Sequence, residues 1–141
     1  MSKTAKVNDN QAFTDIDLGL RRAANLKPDK LAVVDSNRCL TWTEFDKRIS
    51  QVANALIANG IMPNERIAIL GRNCLAYLEV FFGGLRAGAC VTPLSTLAHP
   101  DSLAKMITDS ESKLLFIAKD YLSMIGEFKG LEESTVIFDG A

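Results

Sequence analysis

Residues 66–94 read RIAILGRNCLAYLEVFFGGLRAGACVTPL, and this stretch decides the fold. An apolar run at 66–70 is followed by a loop at 71–73, a run of helical length at 74–86 and a second apolar run at 90–92. Two buried strands joined by about a dozen helical residues must be parallel, because a tight turn joins only antiparallel strands. The stretch therefore predicts a right-handed β–α–β crossover.

The helical run is apolar on more than one side. A helix with this distribution of side chains is buried on most sides. We therefore expect it to lie between the sheet and a further layer of the protein. One apolar stripe comprises Leu75, Leu78, Phe82 and Leu85, and another comprises Tyr77 and Phe81.

The segment before this unit predicts a helix and a hairpin. Asp15 or Asp17 can cap a helix that ends near Asn25. Apolar runs at 31–34 and 38–40 flank the short polar turn DSN, and this pattern is typical of an antiparallel β-hairpin.

Residues 41–60 predict an amphipathic helix with defined ends. The sequence TWTE places Thr41 and Glu44 at the spacing of a capping box, in which each side chain accepts a hydrogen bond from the other residue's backbone N–H. Gly60 suits the left-handed position after the last turn. The expected apolar stripe is Trp42, Phe45, Ile49, Val52 and Leu56, and the expected solvent-facing residues are Asp46, Lys47, Arg48 and Gln51.

The rest of the chain continues to alternate between helix and strand. Pro100, directly after His99, predicts the first turn of a helix that ends near Ser110. This alternation predicts a layered α/β fold, with a mostly parallel sheet, helices on both of its faces and an N-terminal hairpin. The later elements are a strand at 113–118, a short helix at 121–125 and a strand at 135–138.

Length and composition indicate a folded unit. The chain has 141 residues, of which 48% are hydrophobic and 23% charged, and this excludes an intrinsically disordered protein. We expect residues 1–14 to be a flexible N-terminus and residues 15–141 to be folded. The formal net charge is -1 and no basic cluster is present, which argues against nucleic acid as a partner. No run approaches the about 18 to 20 apolar residues of a membrane span.

The cysteines and the single histidine limit the metal and redox chemistry. Cys39, Cys74 and Cys90 are an odd number at unrelated spacings, so we expect buried, reduced thiols in a cytoplasmic protein. The polar segment at 1–15 lacks the apolar stretch of a signal peptide, which also favours the cytoplasm. His99 is the only histidine, so no metal site is predicted.

The loop at 71–73 lies where backbone N–H groups at a helix N-terminus can bind an anion. A dinucleotide site requires G-x-G-x-x-G, but only Gly71 is present and Asn73 stands in place of the second glycine. This mismatch disfavours a nicotinamide or flavin enzyme. We expect Gly71 to permit the turn and Asn73 to cap the helix.

Other residues of chemical interest have structural explanations. Gly83, Gly84 and Gly88 are expected to permit close packing of the helix on the sheet rather than to bind phosphate. His99 stands where an N-cap is expected, with no nucleophile beside it in the sequence. The residues alone therefore predict no catalytic group.

Three stretches together resemble the start of the adenylate-forming enzymes. This family includes acyl-CoA synthetases, aryl-CoA ligases, luciferases and the adenylation domains of peptide synthetases. The similarity runs in order and spacing from about residue 12 to residue 141. The stretches are KLAVV at 30–34 with LTWTEF at 40–45, ERIAIL at 65–70 with Asn73, and FGGLRAGA at 82–89 with PL at 93–94.

The resemblance implies the N-terminal portion of the acyl-CoA synthetase-like fold, taken from a much longer ATP-dependent enzyme. Members join a carboxylate to AMP, release pyrophosphate, and transfer the acyl group to the thiol of CoA. The implied cofactors are ATP, Mg²⁺ and CoA, and the implied substrate is a long-chain fatty acid or a related acid. The family's phosphate loop and its adenylating lysine have no counterpart here, so the fragment alone is expected to be inactive. The alternative is a free-standing α/β binding or scaffold module.

The resemblance also suggests candidate site residues and partners. After Pro-Leu, many members continue Asn-Pro-Arg-Leu, and in some this loop approaches CoA. Here the sequence is STLA at 95–98, without a basic residue. The candidates on the CoA side are therefore Ser95, Thr96 and His99. The expected partners are the remainder of the parent enzyme and a second copy of the chain, because the apolar helix at 74–86 needs more cover than one sheet supplies.

Overall fold

The structure, a computed structural model, describes residues 15–36, 38–126 and 134–139. The expected flexible N-terminus, residues 1–14, lies outside the described residues. The described helices are α1 (Ile16–Leu26), α2 (Trp42–Ala58), α3 (Leu75–Arg86), α4 (Pro100–Ser110) and α5 (Leu122–Ile125), with a 3₁₀ turn at Lys119–Tyr121. The described strands are β1 (Leu31–Asp35), β2 (Arg38–Thr41), β3 (Arg66–Leu70), β4 (Cys90–Pro93), β5 (Leu114–Ala118) and β6 (Thr135–Phe138).

The main sheet has four parallel strands in the order β4–β3–β5–β6. The pairing of Ile67 with Val91 on one side and with Leu114 on the other puts β3 inside the sheet. The parallel β3–α3–β4 unit predicted from the sequence is confirmed. Strands β1 and β2 form a separate antiparallel hairpin, as predicted.

Helices cover both faces of this sheet because the side chains of β3 alternate between them. Ile67 and Ile69 belong to the core cluster on the side of α2 and α3, together with Leu56 and other residues. Ala68 and Leu70 belong to the cluster on the side of α4 and α5. All four β3 side chains from 67 to 70 are fully buried.

Helix α3 is packed between the sheet and an outer layer, as its distribution of apolar residues predicts. On the outer side, Leu75 joins Phe45 and Ile49 of α2 in a third cluster, which also involves α1 and the hairpin. Close approach is possible because α3 contains two glycines. A Cβ at Gly83 would lie 2.5 Å from Val52 Cγ1, and a Cβ at Gly84 would lie 2.7 Å from Val91 Cγ2. The close packing on the sheet that the sequence predicted is confirmed for Gly84, whereas Gly83 packs against α2 and a Cβ at Gly88 would meet only Pro63, at 3.7 Å.

The ends of α2 and α4 are as predicted. Thr41 and Glu44 form the complete capping box, with the Thr41 N–H donating to Glu44 Oε2 at 2.8 Å. Gly60 follows α2 with a φ of 84°. His99 is the N-cap residue of α4, and Pro100 occupies its first turn.

The predicted cap of α3 is wrong. The N-cap residue is Cys74 and not Asn73, and no side chain of these two residues caps the helix. The Leu75 N–H instead donates to Oδ2 of Asp35 at the end of β1, at 2.9 Å. Asp35 of the hairpin therefore caps α3 in place of the neighbouring Asn73 that the sequence predicts as the cap.

Two further expectations about exposure are wrong. Asp46 and Arg48 of α2 do not simply face solvent, since Asp46 pairs with Arg86 and Arg48 pairs with the buried Glu79. Of the three free cysteines only Cys74 is buried, while Cys39 and Cys90 are exposed. Both exposed cysteines lie on short strands whose apolar neighbours suggested more complete burial.

Candidate functional site

The carboxyl ends of β3, β4 and β5 meet at one edge of the sheet because the strands are parallel. In open α/β sheets, ligands bind in the loops outside this edge. The loops are residues 71–74 after β3, residues 94–99 after β4, and the 3₁₀ turn after β5. We therefore take this edge as the candidate site.

The three candidate residues from the sequence lie on the loop after β4. Ser95 is exposed, and its Oγ accepts a hydrogen bond from the Leu97 N–H at 3.3 Å. Thr96 is half-buried. The His99 side chain is 74% exposed, and its Nδ1 accepts from the Asp101 N–H at 3.4 Å. The structure thus brings the three together on one open loop, and the Asp101 carboxylate lies beside them, with Oδ2 3.5 Å from His99 Nδ1.

Leu97 is the most exposed large apolar side chain at this edge. It is 95% exposed and lies between Thr96 and His99 in the chain. The loop therefore offers two hydroxyl groups, one imidazole and one apolar side chain to any ligand that approaches it. This set can form hydrogen bonds and apolar contacts, but it contains no pair of groups poised for proton transfer to a nucleophile.

The sequence did not identify a contact between the other two loops of this edge. Arg72, after β3, donates from Nε to Tyr121 Oη at 3.1 Å. The two residues come together because β3 and β5 are neighbours in the sheet. The sequence indicates that each of these residues closely follows a buried strand. It does not indicate that the two strands are neighbours, and the contact depends on that.

The anion site considered at the N-terminus of α3 is occupied by the protein's own carboxylate. Asp35 accepts the first free N–H of the helix, from Leu75, and also accepts from the Ser36 N–H. The hydrogen bond from Leu75 is the main reason that the pKa of Asp35 lies below its ordinary value, with a smaller contribution from Ser36. The charged carboxylate therefore fills the position where a ligand phosphate would bind.

Gly71 serves the packing of the sheet. A Cβ at this position would lie 2.9 Å from Phe138 Cζ and 3.2 Å from the Ala118 Cβ. Its missing side chain makes room for the last strand and not for a phosphate group. With Asp35 bound to the Leu75 N–H, the N-terminus of α3 does not offer this group to a phosphate.

The described residues hold no large cluster of metal-binding side chains. Across residues 15–36, 38–126 and 134–139, no group of three or more His, Cys, Asp or Glu side chains could hold a metal ion. In the same ranges, every buried side-chain nitrogen and oxygen has a hydrogen-bond partner.

None of the described helices meets both the length and the hydropathy that a membrane span requires.

Comparison with known proteins places these features in a family. The sequence model of the AMP-binding enzymes matches residues 20–139. The feruloyl-CoA synthase of an Amycolatopsis species is 33% identical over 104 residues, which cover 74% of this chain and 21% of the relative. The 4-hydroxybutyrate–CoA ligase 2 of Metallosphaera sedula is 30% identical over 120 residues, which cover 85% of this chain and 22% of the relative.

The fold agrees with this similarity. The crystal structure of the N-terminal domain of FACL13 from Mycobacterium tuberculosis superposes with a TM-score of 0.79 at 22% identity, and the match covers 92% of this chain and 34% of that one. The chain spans about a fifth of the length of the curated relatives named above. From the match over residues 20–139, the chain belongs to the AMP-binding enzyme family.

Proposed function

We propose that this chain forms the N-terminal part of an ATP-dependent acid–thiol ligase. Such an enzyme converts a carboxylate and ATP to an acyl-adenylate and pyrophosphate, and then transfers the acyl group to the thiol of CoA. The family match over residues 20–139 is the observation that carries this proposal. The relatives named above are ligases, so they lend no support to the alternative of a free-standing binding or scaffold module.

In this proposal, residues 15–141 are a structural portion of a larger catalytic domain. They supply a parallel sheet covered on both faces, and loops at its carboxyl edge. We expect the groups that bind ATP and Mg²⁺ to lie in the rest of the enzyme, because Asp35 already accepts from the N-terminus of α3 and the described residues contain no group of three or more metal-binding side chains. The isolated chain is therefore expected to be inactive.

The proposal that this chain is structural and that the rest of the enzyme is needed for catalysis can be tested by ATP–pyrophosphate exchange. The 141-residue chain is assayed in the presence of carboxylic acids. The exchange rate should stay at background with every acid. Robust exchange by the pure chain would contradict the proposal. Reading the coding sequence downstream of residue 141 separates the alternative, since a phosphate loop there supports the ligase and a stop codon supports the module.

We further propose a long-chain fatty acid, or a related acid, as the substrate of the whole enzyme. A fatty acid–acyl-carrier-protein ligase of Streptomyces coeruleorubidus, 25% identical over 114 residues, supports this class. The feruloyl-CoA synthase points instead to an aromatic acid. Exchange by the whole enzyme with a long-chain fatty acid, ferulate and 4-hydroxybutyrate would decide, and preference for ferulate would overturn the fatty-acid assignment.

We propose that Ser95, Thr96 and His99 lie on the CoA side of the enzyme. They share one loop at the edge where parallel sheets bind ligands, and the imidazole and hydroxyl groups can donate hydrogen bonds to phosphate or amide oxygens.

NMR of the whole enzyme tests this assignment. When CoA is added, the chemical shifts of residues 95–99 should change. Ser95→Ala should weaken CoA binding, while Ser123→Ala on the exposed side of α5 should not. His99→Asn removes the imidazole but keeps an N-cap. Unchanged CoA affinity in both site variants would exclude this loop.

We also propose that the isolated chain self-associates through β6. This strand ends the described sheet, with Val136 43% exposed and Ile137 56% exposed on its opposite faces. Exposed apolar side chains promote association with another chain. Light scattering over a concentration series should show association that Ile137→Lys reduces and that Val34→Lys, on the hairpin, does not. A monomer at all concentrations would contradict this.

A cytoplasmic location completes the proposal. The three cysteines all carry free thiols, and two of them are exposed, which suits a reducing compartment. Fractionation of cells with an antibody to the chain would test the location, and recovery from an oxidising compartment would contradict it.

A further inference from the structure

Helix α1 is attached to the protein by charge more than by apolar packing. Its only buried residue is Asp17. Leu20 is half-buried against the cluster of Phe45, while Ile16 and Leu18 are 57% and 60% exposed. A helix held by hydrophobic burial would place its large apolar side chains inside, so α1 departs from that pattern.

The buried carboxylate of Asp17 binds two arginines. Oδ1 accepts from Arg86 Nε of α3 at 2.6 Å, and Oδ2 accepts from Arg21 Nε of α1 at 2.7 Å. The Arg86 side chain is only 3% exposed. Its other donors are held by α2: Nη1 donates to the Asp46 carbonyl at 2.9 Å and to Ser50 Oγ at 2.7 Å, and Nη2 donates to Asp46 Oδ1 at 2.7 Å.

This cluster can divide without leaving an unpaired charge. If α1 moves away, Asp17 leaves with Arg21, and Arg86 stays with Asp46 and Ser50. Breaking a buried ion pair is normally very costly because it strands one charge in a poorly solvated position. Here each half keeps one carboxylate and one guanidinium, so that penalty is largely absent.

We propose that α1 is a detachable latch, which undocks from α2 and α3 by separation of Asp17 from Arg86 while the rest of the protein stays folded. Undocking uncovers the side of α2 and α3 that holds Arg86 and the surface against which Leu20 packs. Local opening of a single element below the free energy of global unfolding is common where few apolar contacts hold it.

The ionisation of Asp17 keeps the latch closed at neutral pH. Burial raises the pKa of this carboxyl, but the hydrogen bonds from Arg21 and Arg86 outweigh it and hold the pKa below its ordinary value. Asp15 and Asp46 are the other carboxylates near the two arginines. The ion pair is therefore formed under ordinary conditions.

Amide hydrogen exchange of the full 141-residue chain tests the latch. In the wild type, amides of α1 should exchange faster than those of α2, α3 and β5. Asp17→Asn should increase exchange in α1 by roughly tenfold or more, because it removes a charged hydrogen bond, and should leave α3 and β5 unchanged. Asp109→Asn, on the exposed side of α4, is the matched control and should change nothing.

Leu20→Ala distinguishes charge from apolar packing as the attachment. It should increase exchange in α1 less than Asp17→Asn does. An equal or larger effect of Leu20→Ala would show that apolar contact holds the helix and would overturn the proposal. So would a wild-type α1 as protected as α3, or an Asp17→Asn variant in which α1, α3 and β5 open together.

Discussion

Asp35 Oδ2 lies 2.9 Å from the backbone nitrogen of Leu75, so the last residue of β1 caps the first turn of α3. The two residues are far apart in the chain, and the bond fixes the hairpin to the central β–α–β unit. It also neutralises the positive end of the α3 dipole from within the protein.

The first prediction concerns the pH dependence of this bond. The folded pKa of Asp35 is below its unfolded value of about 3.9. Its contribution to stability is therefore complete above that value and is lost as the pH falls through the folded pKa. Asp35→Asn should make the fall in urea midpoint on acidification shallower than in the wild type. NMR titration of the Asp35 carboxyl checks the direction, and a pKa at or above the ordinary value would contradict it.

Thr41→Ala should destabilise the protein by about 0.5 to 2 kcal/mol. The variant loses the acceptor for the Glu44 N–H, which the structure places 3.3 Å from Thr41 Oγ1. Urea denaturation measures the difference. Thr41→Ser keeps the hydroxyl and should retain most of the stability; if serine were as harmful as alanine, the cap would not be the cause.

Phe45→Ala should cost roughly 3 to 5 kcal/mol, because the ring is 3% exposed and packs edge-on against Phe82. Ile57→Ala, on the same helix but 55% exposed, is the matched control and should change the free energy of unfolding by less than about 1 kcal/mol. Equal effects of the two substitutions would mean that the apolar stripe of α2 is not buried.

Gly83→Ala should destabilise the protein by about 1 to 3 kcal/mol despite the better helix propensity of alanine. The new Cβ would lie 2.5 Å from Val52 Cγ1 and 3.2 Å from the Ile49 carbonyl oxygen. Gly19→Ala, in α1, meets nothing within 4 Å and should stabilise the protein by up to about 1 kcal/mol. Thermal melts distinguish the two, and adding Val52→Ala should recover part of the loss at Gly83.

The sequence predicted most elements because apolar periodicity reports directly on burial. The runs in β3 and β5 and the stripe of α2 all lie where those patterns place them. The polar contacts were missed because they join elements whose proximity the sequence does not state. Asp46 and Arg48 look solvent-facing on α2 alone, and become paired only when α3 brings Arg86 and Glu79 alongside.

At the candidate site, too, the sequence predicts the position of the loops but not the polar contacts between elements. Topology alone places Ser95, Thr96 and His99 at the carboxyl edge, since a loop that follows a parallel strand must start there. The contact of Arg72 with Tyr121 needed the knowledge that β5, and not β4 alone, is a neighbour of β3. The carboxylate at the start of α3 belongs to Asp35 of the hairpin. Nothing in the sequence around Leu75 indicates that the hairpin and this helix meet.

The strand order has a consequence for how this chain folds during synthesis. β3 leaves the ribosome before either of its neighbours, and Leu114, which pairs with Ile67, emerges only after α3, β4 and α4. Until then, one side of a strand that is apolar from Ile67 to Leu70 has no partner. Sheets built from such distant pairings form slowly. Until pairing is complete, their apolar surfaces and unpaired strand edges are exposed and prone to aggregation. We expect the nascent chain to depend on chaperones until β5 has emerged, and slower translation before residue 114 to lower the yield of native protein.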